Sequence, residues 1–265
     1  MRKQSDKYRE QLIDLMAHSE SDINSDMRDK VRKIVLLCSG LNDNNFTFNN
    51  HKAIEKKVDK IIDELSGDIY DSVSSRAKKA INLAYQKEHE VFKNALFISF
   101  MSLLIDGKTI ADRINSYLSG LKLEIESYIA VGLNNSDSMT SIFNNWYYNR
   151  KKPYNSSIIK SNIGKFEAEG LNKGIRFGSG YNSSSFMGLK ELEMNNTFQS
   201  YNYILNEIWK EKGINGWYTV RGSNYPCPIC QAQVGKFHPM SDKFLGYHNR
   251  CCCIMLPYTK DNKSD

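Results

Sequence analysis

A chain of 265 residues and 30.5 kDa can bury a real core, as one large domain or two small ones. Its 40% hydrophobic and 25% charged content is that of an ordinary globular protein, which excludes a disordered or fibrous chain. The net charge of +6 permits contact with nucleic acid without arguing for a dedicated nucleic-acid binder, whose excess charge would be gathered on one face.

Met1-Arg2-Lys3-Gln4 runs into the polar Ser5-Asp6-Lys7 without the apolar stretch of a signal peptide, so folding in a cytosol is expected. Residues 1–41 read as an N-terminal helical arm of two short helices. Tyr8, Leu12 and Leu15 are at helical spacing in the first, and Met27, Val31, Ile34 and Val35 in the second. Cys38, alone at a helix end, is read as a packing residue. The asparagine-rich stretch Asn42 to Asn50 is a loop, because its side chains compete with helical backbone bonding.

A helical body follows over residues 42–154. Ile54, Val58, Ile61, Ile62, Leu65 and Ile69 form one apolar stripe that continues through Val73, Ala77, Ala80, Ile81 and Ala84. The longest apolar run, Ala95 to Ile105, is half of what a membrane span requires and is read as a buried helix or a helix join; no membrane contact is expected. A second stripe of Ile110, Ile114, Leu118, Leu121, Ile125 and Ile129 starts near Thr109, with Gly132 and Asn134-Asn135 as its C-cap. Ser136 to Tyr148 is a short helix with Ile142, Phe143 and Trp146 inward.

Residues 155–212 are read as a flexible, glycine-rich connector followed by a long helix from about Phe186 to Lys212. The glycines lack the context of a phosphate-binding loop. Residues 213–265 form a small β-rich unit beginning with Trp217. The fold class is thus mainly α with a small C-terminal α+β metal-binding unit, and sheet is expected only after Gly213.

That last unit holds five of the six cysteines. Cys227 and Cys230 form a Cys-x-x-Cys pair, stiffened into a turn by Pro226 and Pro228, and His248, Cys251 and Cys253 form His-x-x-Cys-x-Cys. Thiolates and imidazole are the donors that Zn²⁺ prefers, and two short segments can bring them together tetrahedrally. Zn²⁺ as a structural cofactor is the expectation, held by Cys227, Cys230, His248 and one of Cys251 or Cys253. Buried reduced thiols and a disulfide are the alternatives. In an extended segment Cys252 faces away from Cys251 and Cys253. His238 is read as a solvated loop residue, and the unit as too poor in apolar residues to hold its fold without metal.

The order Gly216-Trp217-Tyr218-Thr219-Val220, Cys227 to Cys230, Gly235-Lys236-Phe237, then His248 to Cys253 running into Ile254-Met255-Leu256-Pro257, resembles the phage Mu F-like minor head protein family of tailed phages. That family usually closes with His-Pro-x-Cys-Arg-Cys, where this chain has Asn249 and Cys252 in place of the proline and arginine. Upstream, Leu192, Thr197, Tyr201 and Asn202 match a family helix, whereas Met194 and Asn196 replace its arginine and glutamate. The resemblance implies a minor structural protein of the virion head, assembled in the host cytoplasm, with portal or capsid proteins as partners, packaged DNA nearby, and an oligomeric state.

Two other functions fit the residues. A nucleic-acid-binding zinc module would use Arg221, Lys236, Lys243 and Arg250, with Tyr225, Phe237 and Tyr247 to stack on bases. A metal-dependent hydrolase would need an open coordination position and a general base, and between Cys227 and Asn249 Asp242 is the one acidic residue. No catalytic residue is assigned.

Overall fold

The computed structural model describes residues 2–43, 45–105, 107–151, 166–167, 176–177, 184–222, 227–248 and 250–259. It is mainly helical, with a small antiparallel sheet at the C-terminal end. Helices α1 (Arg2–Ala17) and α2 (Ser19–Leu36) precede a short 3₁₀ turn (Phe48–Asn50) and the long α3 (Lys52–Glu88). Then come α4 (Asn94–Met101), α5 (Ile110–Asn134), α6 (Met139–Asn149), α7 (Ser185–Glu211) and the one-and-a-half-turn α8 (Pro228–Gln233). Strand β3 (Gly216–Val220) lies between β4 (His238–Pro239) and β5 (Ile254–Pro257), antiparallel to both.

The apolar stripes read from the sequence fall on the buried faces of α3 and α5. At 37 residues α3 is about 55 Å long, enough to back most of the other helices. Thr109 starts α5 with a capping box: its hydroxyl accepts from Asp112 N–H while the Asp112 carboxylate accepts from Thr109 N–H. Gly132 lies inside α5 and does not cap it. A β-carbon there would sit 2.2 Å from Ile142, so the glycine admits α6, and the left-handed residue after the helix is Ser136.

Three further expectations change. The first sheet is not confined to the C-terminal unit, since β1 (Phe166–Glu167) and β2 (Arg176–Phe177) pair in an antiparallel register. The rest of the connector, with its expected short helix, lies outside the described residues. The run Ala95 to Ile105 narrows to the second of its two readings, a join between α3 and α5, and is not a buried helix: α4 anchors Phe100 and Met101 inside and leaves Ile98 exposed, as is Leu104 just beyond it. Finally, α7 is the centre of the bundle and not an appendage of the connector, packing against α1, α2, α3 and α5.

The central helix carries many polar residues into the interior. Glu193 has no exposed surface and pairs with Arg76 of α3 at 3.3 Å, while Ser72 donates to it at 2.8 Å. Arg76 also binds the Asp22 carboxylate of α2 and the Leu15 carbonyl of α1. Ser200 reaches the Ala77 carbonyl, where α3 has small side chains and α7 comes close. At the start of α7, the buried Glu124 of α5 accepts hydrogen bonds from the Ser185 N–H at 2.7 Å and hydroxyl at 3.0 Å.

Burial raises the Glu124 carboxyl from 4.5 to about 7, against the two Ser185 hydrogen bonds. The folded state therefore holds this proton more tightly than the unfolded chain, and its stabilising contribution, complete below the unfolded value, is lost as pH rises through about 7. Glu124→Gln keeps an acceptor for Ser185 and cannot ionise. Denaturant unfolding at pH 5 and pH 8 should show the wild type losing up to about 3 kcal/mol more than this variant; equal losses would mean that Glu124 ionises freely in the fold.

Candidate metal centre

Strand β3 ends at Val220, and the chain then returns as α8, whose first turn carries the Cys-x-x-Cys pair. The pair is set on a helix start, not in a simple turn: Cys227 is the N-cap, Pro228 the first helical residue, and Cys230 follows one turn on. Tyr225 and Pro226 lie outside the described residues, as does Asn249. Gly235, left-handed at φ +80°, donates its N–H to the Thr219 carbonyl at 2.9 Å and so ties the end of α8 back to β3.

All five candidate ligands come together. Cys227, Cys230 and His248 form one set of donor atoms within 4.8 Å of one another, and Cys230, Cys251 and Cys253 form a second. Cys230 belongs to both. His248 Nε2 lies 3.2 Å from the Cys227 sulfur and 3.1 Å from that of Cys230, and the Cys230 and Cys251 sulfurs are 4.0 Å apart. In a tetrahedral Zn²⁺ site the ligand bond lengths give edges of about 3.8 Å between sulfurs and about 3.6 Å between sulfur and nitrogen. The observed separations need shifts of only a few tenths of an ångström, so the cluster is geometrically able to bind a metal.

No disulfide joins these thiols, and Cys230, Cys251 and Cys253 are buried. The Cys251 sulfur is pulled far below the usual thiol range because Cys230 and Cys253 donate to it, and those two are pushed up by the same hydrogen bonds and by burial. The pocket thus favours one negative sulfur unaided. A divalent cation would favour several, by supplying the opposite charge at the centre.

The alternation expected around Cys252 is present. Cys252 faces out of the cluster toward the Arg250 carbonyl at 3.5 Å and lines a cleft with Arg9, Tyr201 and Asn202. Its neighbour Arg250, left-handed at φ +61°, is clamped on α7: its N–H donates to Asn195 Oδ1 at 3.0 Å and its guanidinium pairs with Glu191 at 2.5 Å.

Several residues around the cluster were not legible as site residues. His238 is buried, not solvated. It faces Trp217 across β3 and β4, stacks on its ring at 4.2 Å, and is held below the usual imidazole range by burial. From Trp217 the ring contacts run on tilted to Phe244 and edge-on to Tyr247 and to Phe198 of α7, so the C-terminal unit has an aromatic core, contrary to the expectation of an apolar-poor unit. Tyr247 is fully buried and hydrogen bonded to Thr219 at 2.8 Å, which removes it from any base-stacking surface. A β-carbon on Gly222 would overlap the Cys252 carbonyl at 1.3 Å, so the ligand loop needs glycine there.

Comparison with family models, curated proteins and solved structures returns no match. Among the described residues no helix is long and apolar enough to cross a membrane.

Divalent metal content, measured by elemental analysis after purification under reducing conditions, tests the centre. Cys230→Ser should lose the metal, since this sulfur serves both donor sets, whereas Cys252→Ser should keep it. Gly222→Ala should lower affinity tenfold or more (~1.4 kcal/mol) without touching a ligand, because it displaces the backbone that carries two of them.

Proposed function

We propose that the protein is a minor structural component of a tailed-phage head, involved in head morphogenesis or associated with the portal and DNA-delivery end. In this reading it is assembled in the host cytoplasm, its partners are portal or capsid proteins, it works as an oligomer, and its C-terminal cluster holds a structural Zn²⁺. The observation that carries the reading is the spatial coherence of the resemblance. The Trp217 strand, the Cys227–Cys230 helix start, the Phe237 step and the His248–Cys253 close form one unit, and Tyr201 and Asn202 of the matching helix line the same cleft as Cys252 and Cys253.

Zinc fits better than other divalent metals because four of the five donors are sulfur and the fifth is imidazole. With more protein donors than a tetrahedron needs, the set favours a closed structural site over a catalytic one with an open position. A nucleic-acid-binding role retains the exposed Phe237, but Lys243 is paired with Glu207 at 3.4 Å and Arg250 with Glu191. Two of the four cations proposed to grip phosphates are therefore ion-paired within the chain, and a third, Arg221, hydrogen bonds Gln231 at 3.2 Å.

Mass spectrometry of purified virions and of empty shells from a phage encoding this chain tests the assignment. The protein should be present at fixed low copy number in virions, and light scattering should show it joining the portal when the two are mixed. Its absence from particles, together with indifference to the portal, would remove the head assignment. About one zinc per chain in the purified protein is expected, and stoichiometric loading with another metal would remove the zinc assignment.

A further inference from the structure

Behind the segment that carries Cys251 to Cys253 lies a cleft with apolar walls and cations as its charged lining. The walls are Leu12, Ile13 and Met16 of α1, Phe198 of α7, and Ile254 and Met255 of β5. Arg9 shares one face of α1 with Leu12, Ile13 and Met16, the four being spaced i, i+3, i+4 and i+7. Lys87, in the last turn of α3, is the second cation of the lining, and none of the described lining residues is acidic. The Tyr8 hydroxyl donates to the Gln86 carbonyl at 3.3 Å, so α1 and the end of α3 are tied together next to both cations. Ile13 is 43% exposed, so the apolar wall reaches solvent.

Neither cation has a counter-ion among the described residues. Arg9 Nε is buried without a hydrogen-bond partner there. The Lys87 ammonium lies over the Tyr201 and Trp209 rings at 5.9 and 5.7 Å, and burial holds it below the usual lysine range. Glu88, whose charge reaches Lys87, is itself bound by Lys212 at 3.0 Å. By contrast, Lys30, Lys122 and Lys190 are each paired with carboxylates. A desolvated cation lacking a counter-ion is stabilised by a bound anion, and the apolar wall beside it by a hydrocarbon chain. One ligand supplies both only if it has both parts. The cleft encloses about 470 Å³, its open mouth included, which is at the small end for ligand pockets and suits one chain, not the two of a phospholipid.

We propose that this cleft binds a single-chain amphiphilic anion, an unbranched apolar chain ending in a carboxylate or a phosphate, with Arg9 and Lys87 on the head group and the α1, α7 and β5 walls around the chain. The guanidinium fork suits either head group. The inference goes beyond the head-protein reading and needs neither that assignment nor a bound metal. Cys252 belongs to the same lining and is close enough to Arg9 to feel its charge, so its thiol reports on occupancy.

Calorimetric titration of the full chain with decanoate and with decyl phosphate tests the proposal, and the tighter of the two identifies the head group. Decanol and acetate, each holding one part of the ligand, should bind at least tenfold more weakly. From hexanoate to octanoate each added methylene should tighten binding about fourfold. Arg9→Gln and Lys87→Met should each weaken decanoate about tenfold or more, with circular dichroism unchanged, whereas Phe237→Ser, at an exposed position on the C-terminal unit, should have no effect. Decanoate should also slow alkylation of Cys252 by iodoacetamide, followed by mass spectrometry of its peptide, a readout that needs no variant. Failure of both decanoate and decyl phosphate to bind would overturn the proposal, as would equal binding of decanol or acetate. Binding that survives both cation variants, or that leaves Cys252 unprotected, would put the ligand elsewhere and overturn it as well.

Discussion

A carboxylate with no exposed surface must find a counter-charge, and in this fold Glu193 finds Arg76. The requirement organises the bundle, because Arg76 is shared. Its guanidinium also holds Asp22 and the Leu15 carbonyl, so α1, α2, α3 and α7 meet at one cation. Burial raises the Glu193 carboxyl in spite of Arg76 and the hydrogen bonds around it, which means that desolvation outweighs the pair and its supporting hydrogen bonds together. Loss of Arg76 would strand a buried charge at the point where four helices touch. Such a contact specifies which faces meet more than it adds stability.

Once α7 is fixed, the metal centre follows from it. Its first half presents Glu191 and Asn195 to Arg250, its middle presents Phe198 to Phe244, and its second half presents Asn206 to the Asp242 carbonyl. Gly213, left-handed at φ +71°, then turns the chain into β3, so the strand behind the cluster begins where the helix stops. The C-terminal unit is therefore built along α7 and does not hang from its end. The cleft lined by Arg9 of α1 and by Cys252 and Cys253 brings α1 to the back of the segment that carries the cluster.

The parts of this arrangement that the sequence reveals are those where one residue type does one job. The α3 and α5 stripes are periodic and apolar on a single face, and cysteines at two-residue spacing have few other uses, so the helices and the clustering of the five candidate ligands could be read. The role of α7 could not, because Glu191 and Glu193 are charged residues with no partner nearby in sequence and become interior only when Arg250, Arg76 and Ser72 are brought to them from far along the chain. His238 and Tyr247 were missed for the same reason: an amphipathic side chain in a polar loop does not announce that Trp217 or Thr219 will cover it. Gly132 and Gly222 look like chain-turning residues, yet their role is to let Ile142 and the Cys252 backbone approach, a purely tertiary demand.

The aromatic core and the candidate metal cluster lie in different parts of the C-terminal unit. Trp217, His238, Phe244 and Tyr247 hold β3 to β4 and to the segment before residue 247 by ring packing, supported by the Trp217–Asp242 and Tyr247–Thr219 hydrogen bonds. Beyond Tyr247 the ligand loop has no comparable apolar filling, and it runs between two left-handed residues, Gly246 at φ +96° and Arg250 at φ +61°. For arginine that conformation costs about 1–2 kcal/mol and persists only where the surroundings over-determine it. Glu191 and Asn195 supply that constraint from outside, at Arg250. On the inside the loop faces the thiols and imidazole of the cluster, groups that pack poorly against one another. A cation joining Cys230 to His248 and to Cys251 or Cys253 would constrain this inner side, so its binding free energy acts on the loop and spares the core beneath it.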